Sequence, residues 1–170
     1  EIDGKTIGII GMGNIGSRVA RIAEAFNMNV CYYSTSGTGH CKDYPSMALE
    51  DLLKVSDIVS IHAPLNDRTA GLIGAKELSH MKRSAILINM GRGGIVDEKA
   101  LADAIDAGDI AGAALDVFVK EPLPADNPLL HIRHKERLRL APHAAWASVQ
   151  ARRRLVRQIA ENISNHIRTS

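Results

Sequence analysis

Apolar residues in this chain gather into short unbroken runs, separated by longer stretches in which they recur every three or four positions. The runs Thr6–Ile10, Asn29–Tyr33, Asp57–Ile61, Ala85–Asn89, Ala111–Val117 and Leu138–Leu140 predict six strands. Because they are continuous and not alternating, such strands should be buried on both faces, as in a parallel sheet. The periodic stretches predict helices at about Asn14–Phe26, Leu49–Val55, Ala75–His80, Asp97–Ala107, and from Ser148 to the end. In the first of these Ile15, Val19, Ile22 and Phe26 share a face, and Gly108 stops the fourth. Ser34–Tyr44, rich in Gly, Ser and Thr, reads as a loop, as does the segment carrying Pro122, Pro124 and Pro128. Strand and helix therefore alternate, which predicts an α/β fold: a doubly wound parallel sheet covered on both faces.

Composition adds mainly exclusions. At 170 residues the chain has the length of one domain. A net charge of +2 gives no global pull towards nucleic acid or a membrane surface. Two cysteines, Cys31 in a predicted strand and Cys41 in a loop, are a poor basis for a disulfide framework, so a reducing, cytoplasmic setting is expected. No apolar run reaches membrane-helix length, no signal peptide is read, and no metal-ligand pattern stands out. The first residue is Glu1 and not Met, which points to a piece of something longer.

The first strand runs directly into Gly11-Met12-Gly13-Asn14-Ile15-Gly16, which opens a helix. The first glycine permits the tight turn, and the second lets backbone approach a pyrophosphate. The third lets helix and strand pack closely, with phosphates at the positive helix end. This is the Rossmann-type dinucleotide pattern. Its second half is missing: the acid expected at the end of the second strand, where it accepts the ribose hydroxyls of NAD, is replaced by Ser34. Serine does not repel a 2′-phosphate, but Thr35, Ser36 and glycines follow, with His40 and Lys42 further on. The choice between NAD and NADP stays open.

Arg92, Glu121 and His143 each lie just past a predicted strand, on the carboxyl edge where ligands bind to such sheets. Hydride transfer to a keto carbon leaves an alkoxide that needs a proton, and His143 is the natural donor because imidazole titrates near neutrality. Glu121, if brought beside it, would favour the charged ring and fix its orientation. Arg92 can grip a carboxylate or keto oxygen through a planar fork.

Asn89-Met90-Gly91-Arg92-Gly93-Gly94-Ile95-Val96-Asp97-Glu98, then Ala114-Leu115-Asp116-Val117-Phe118, Glu121-Pro122 and Pro142-His143, resemble the D-isomer-specific 2-hydroxyacid dehydrogenases. So do the Gly11–Gly16 turn and His62-Ala63-Pro64-Leu65. The resemblance runs in order over essentially the whole chain. It implies a nicotinamide cofactor, a small 2-keto or D-2-hydroxy acid as substrate, and catalytic roles for Arg92, Glu121 and His143. It also implies that Asp116 holds the nicotinamide carboxamide and that Met90 and Gly91 line the ring site. Asn14 and Ile15 reach the pyrophosphate, Ser34 and Thr35 lie at the ribose, and Ala63 and Pro64 lie against the cofactor. Arg92, His143 and Ala145 complete the expected cofactor contacts.

Family members carry a second domain, built from both chain ends, that contributes the substrate pocket. By that resemblance residues 1–170 form a single, isolated dinucleotide-binding domain, which binds cofactor and turns over poorly alone. A homodimer through the cofactor domain is the implied partner. The Ala145/Trp146 pair resembles the glycerate dehydrogenase and hydroxypyruvate reductase branch, with Trp146 otherwise a packing residue at the start of the last helix. A phosphoglycerate dehydrogenase-like enzyme and a dinucleotide-sensing corepressor module remain alternatives, whereas formate dehydrogenase is disfavoured because it carries Gln in place of Glu121. Outside the site, His62 is expected to support its loop and Asp57 to be structural. Arg152, Arg153, Arg154 and Arg157 should form a solvated helix face.

Overall fold

The computed structural model describes every residue except Thr38, His40 and Ser170, so His40, a basic residue considered for the ribose, lies outside the described residues. Six strands, β1 (Thr6–Ile10), β2 (Asn29–Tyr33), β3 (Ile58–Ile61), β4 (Ile86–Asn89), β5 (Gly112–Leu115) and β6 (Leu138–Leu140), form one sheet. Its order is β2-β1-β3-β4-β5-β6, and every pairing is parallel. The helices are α1 (Gly16–Ala25), α2 (Leu49–Val55), α3 (Ala75–Ser79), α4 (Glu98–Ala107) and α5 (Val149–Thr169). The doubly wound fold is as the sequence predicts, with element ends moved by one or two residues.

The order reverses direction at β1: β2 lies on one side of it and β3 on the other. That reversal opens a crevice at the carboxyl ends of β1 and β3, the position where doubly wound sheets bind ligands.

One sheet face is sealed by α2, α3 and α4, whose Leu52, Leu78, Leu101 and Ile105 pack on Val59, Leu87 and Leu115. Asp97 caps α4 by accepting hydrogen bonds from the Lys99 and Ala100 amides at 2.9 and 3.0 Å, and left-handed Gly108 ends it. The cover on the other face is partial, unlike the expectation. There α1 packs mainly on β1 and β2, through Ala20 and Ala23 against Ile7, Ile9 and Tyr32, with Ile58 of β3 at the margin. Over β4 the same face is open, leaving Ile86 41% exposed.

The face of α1 differs from the periodicity argument. In α1 the buried residues are Gly16, Ala20 and Ala23, while Ile15, Ile22 and Phe26 point outward, the last two each 60% exposed. A helix entered through a tight glycine turn sits too close to β1 for large side chains, so the small residues face the sheet. Along α5, Leu155, Ile159, Ile163 and Ile167 form an exposed apolar stripe at four-residue spacing, and the arginines 152–154 and 157 are exposed as expected. Asp57 is structural as anticipated: one carboxylate oxygen accepts from the Thr6 amide at 2.9 Å and the other from Lys82 Nζ at 3.0 Å. These bonds, the backbone one first, hold its carboxyl below the ordinary aspartate value.

Candidate active site

The glycine turn has the geometry its residues imply. Gly11 takes a left-handed φ of +93°, open to glycine at little cost. A Cβ on Gly16 would collide with the Gly11 carbonyl, so only glycine lets α1 start this close to β1. Around Gly13 nothing lies within 4 Å of where a Cβ would stand, which leaves its backbone open to an approaching ligand. No side chain caps α1 and no acid occupies its first turn, so its end carries unopposed positive character. These features fit a dinucleotide pyrophosphate.

Two cavities flank this turn. The first, of about 540 Å³, runs from Gly11–Gly13 to Ser34, Thr35 and Ser36 and is closed by the β3 loop through Pro64 and Arg68. The second, of about 520 Å³, is lined by Ile15, Ala63, Met90, Gly91 and Arg92. His62 and Pro64 belong to both, so together they mark a path along the crevice from the adenosine end to the nicotinamide end. The His62 ring packs inward, with Nε2 2.9 Å from Ser60 Oγ, and burial pushes its pKa down. A ring held against its own strand suits the loop-supporting role.

Arg92 is presented by a turn that Asn89 organises. Buried Asn89 accepts from the Gly91 amide through Oδ1 and donates Nδ2 to the Arg92 carbonyl, both at 3.0 Å. The Arg92 guanidinium donates to the Gly91 carbonyl at 2.8 Å. Gly93 lets this turn lie against the backbone at Phe118, where any Cβ would overlap the Phe118 carbonyl. The Phe118 amide in turn donates to Glu121 Oε1 at 3.0 Å. The Arg92 and Glu121 loops are thus set against each other by backbone contact.

Glu121 Oε2 meets His143 Nδ1 at 2.7 Å, with each side chain about one-third exposed (34% and 37%). The hydrogen bond to His143 and the Phe118 amide, aided by the charges of His143 and Arg92, hold the Glu121 carboxyl below its ordinary value. With Nδ1 directed at a carboxylate, Nε2 is the ring atom left to exchange a proton with a substrate. His143 itself has a left-handed φ of +51°, rare for a residue with a side chain. The strain is held by Asp116, only 2% exposed, whose two carboxylate oxygens accept from the Ala144 and Ala145 amides at 2.8 Å each.

The expected residues therefore separate into three groups at the carboxyl edge of the sheet, Glu121 and His143 lining a third cavity, of about 560 Å³, with Phe118, Pro122 and Leu140. Gly11, Gly13, Ser34, Thr35 and Pro64 line the adenosine side, while Ile15, Ala63, Met90, Gly91 and Arg92 line the second cavity. Asn14 lies between Gly13 and Ile15 in the turn, and Gly16 begins α1. Asp116, His143 and Ala145 are joined through the bonds just described. Trp146 is 55% exposed and does not pack under the last helix. Three features of the site carry no local sequence signal: Asn89, the loop-fixing bonds of Asp116, and Arg68 on the adenosine side. The apolar run around Asn89 concealed a buried polar side chain, and the other two act across long separations that no local pattern records.

Comparison with known proteins agrees with this geometry. The family described as "D-isomer specific 2-hydroxyacid dehydrogenase, NAD binding domain" matches residues 1–145. A glyoxylate reductase of Aeropyrum pernix is 51% identical over 168 residues, covering 96% of this chain and 49% of that protein. A glycerate dehydrogenase of Methylorubrum extorquens is 42% identical over 163 residues, covering 96% and 50%. Among solved structures, an acyclic imino acid reductase in complex with NADPH and D-Arg superposes with a TM-score of 0.90 at 38% identity, covering 99% of this chain and 53% of that one. The chain spans about half the length of the curated relatives it matches. With the six-stranded parallel sheet, the glycine turn and the match over residues 1–145, this chain belongs to the D-isomer-specific 2-hydroxyacid dehydrogenase family, as its NAD-binding domain.

Proposed function

We propose that this chain is the cofactor-binding and catalytic half of an NAD(P)-dependent oxidoreductase that interconverts small 2-keto acids and D-2-hydroxy acids. Glyoxylate and hydroxypyruvate are the first substrates to test. The observation that carries the reading is the 2.7 Å Glu121–His143 pair on the same sheet edge as Arg92 and the glycine turn. A bound reduced nicotinamide supplies the hydride, delivered to the keto carbon. His143 Nε2 gives its proton to the oxygen that becomes the hydroxyl, and Glu121 holds the ring for that transfer. Arg92 binds the substrate carboxylate and keeps the keto carbon in line. Gly11, Gly13, Asn14, Ile15 and Gly16 take the pyrophosphate, and Asp116 with Met90 and Gly91 takes the nicotinamide end.

The substrate pocket is completed, in this reading, by a second domain, since the relatives are about twice as long. The whole protein should then reduce glyoxylate or hydroxypyruvate with loss of reduced-coenzyme absorbance at 340 nm, an ordinary coenzyme assay wavelength, whereas residues 1–170 alone should bind coenzyme and turn over poorly. No consumption of coenzyme with any small 2-keto acid would contradict the enzyme and favour a sensing module.

The exposed stripe of Ile22 and Phe26 on α1 and that of Ile159, Ile163 and Ile167 on α5 give the chain apolar surface to bury against neighbours. With the family likeness, this supports a homodimer through the cofactor domain. Sedimentation equilibrium should return twice the monomer mass, and a monomer at micromolar concentration would contradict it. Among the described residues no helix is long and apolar enough to cross a membrane. The two unpaired cysteines fit a cytoplasmic setting.

A further inference from the structure

We propose that Arg68, with Ser34 and Ser36, forms a seat for the 2′-phosphate of NADP(H), so that this coenzyme is preferred over NAD(H). The inference rests on the dinucleotide reading above and deepens it. β2 ends at Tyr33, and the next residue, at the place where an acid would accept the adenosine ribose hydroxyls, is Ser34. Its hydroxyl lies 3.1 Å from that of Ser36. Arg68 arrives at this corner from the loop after β3, where its Nη1 donates to the Ser36 carbonyl at 2.9 Å across 32 residues of sequence.

The loop that delivers Arg68 is built to hold it there. Thr69 is fully buried and its hydroxyl donates to the Pro64 carbonyl at 2.6 Å while accepting from the Asn66 amide at 2.9 Å. Asn66 Oδ1 accepts from the Arg68 amide at 2.9 Å. The bond to Ser36 uses one of the five guanidinium N–H donors. Among the described residues no carboxylate lies within 4.0 Å of the guanidinium, so the charge has no internal counter-ion. A planar fork beside two hydroxyls, on the wall of a cavity that begins at the glycine turn, matches the chemistry of a phosphate monoester. Asp67 is the one carboxylate among the described lining residues. It is the competing partner, for a free ribose diol, and the two possibilities predict opposite coenzyme preferences.

The test is a fluorescence titration of the whole protein with NADPH and with NADH, on the unsubstituted protein, Arg68→Gln and Ser34→Asp. NADPH should bind at least about tenfold more tightly than NADH, and added salt should narrow the difference. Arg68→Gln should weaken NADPH by about 10- to 100-fold while NADH moves less than about twofold. Ser34→Asp should reverse the preference by supplying a diol acceptor that repels phosphate. Tighter NADH binding by the unsubstituted protein, or an Arg68→Gln loss shared equally by both coenzymes, would overturn the seat and leave the dehydrogenase reading standing. Binding of neither coenzyme would overturn both.

Discussion

Replacing His143 with glutamine is expected to lower kcat for keto-acid reduction by about 10²- to 10⁴-fold, the usual range for removing a positioned general acid. Coenzyme affinity should change little, because the side chain is held by Glu121 and not by the glycine turn. Steady-state rates together with a coenzyme titration would check this, and an undiminished kcat would remove His143 from the chemistry. Glu121→Gln should give a smaller loss, since an amide oxygen can still accept from Nδ1 but carries no charge. The carboxylate also ties activity to acid stability. Its pKa is depressed in the folded state, so its contribution is fully present above the ordinary 4.5 and is lost as the pH falls through the lowered value. A plot of unfolding free energy against pH should lose that acid step in Glu121→Gln.

Asp116→Ala should be the most damaging change outside the trio. It removes both acceptors of the Ala144 and Ala145 amides at once; both alanines are exposed, so water takes up part of each loss and each bond costs about 0.5–1.5 kcal/mol. It also releases the left-handed turn that aims His143. We expect about 1–3 kcal/mol of lost stability by urea unfolding, and a fall in kcat larger than the fall in coenzyme affinity. Asp116→Asn keeps one oxygen acceptor but places an amide donor against one of the two N–H groups, so it should be intermediate. Equal stability of Asp116→Ala and the unsubstituted protein would show that water serves these amides equally well.

The separate legibility of fold and site has a physical basis. β1 and β3 are buried on both faces over nearly their whole length, so their sequences are continuous apolar runs with little ambiguity, and β4 keeps such a run although Ile86 is exposed. The sequence run continues past β5 through Asp116 and Val117, yet the ladder stops at Leu115 and Asp116 turns its side chain to the His143 loop. The face of α1 departs from its periodicity for a different reason. Periodicity locates large apolar residues, but close helix–strand packing behind a glycine turn selects Gly16, Ala20 and Ala23. Ile15, the first of the large ones, lines the coenzyme crevice, and Ile22 and Phe26 are left outside.

For the site, residue chemistry and order along the chain point to Arg92, Glu121 and His143 as candidates, while the contact of Glu121 with His143 depends on turns that only folding defines. Gly93 illustrates this. Its sequence context marks a turn, but the need for a missing Cβ comes from the Phe118 backbone, which is distant in sequence and adjacent in space. Arg68 is the strongest case. A search for a basic partner near Ser34 looks at the residues after β2, whereas the fold brings one from the loop after β3. Long-range pairing across a switch point leaves no periodic trace in the chain.

The most direct test of the account is isotopic. The whole protein would be supplied with hydroxypyruvate and reduced coenzyme carrying deuterium at the transferable C4 position, and the product analysed by mass and chirality. One deuterium is expected, bonded to C2 of a product with the D configuration, because hydride goes to the keto carbon while His143 supplies only the hydroxyl proton. Product without deuterium at C2, or of the L configuration, would contradict it.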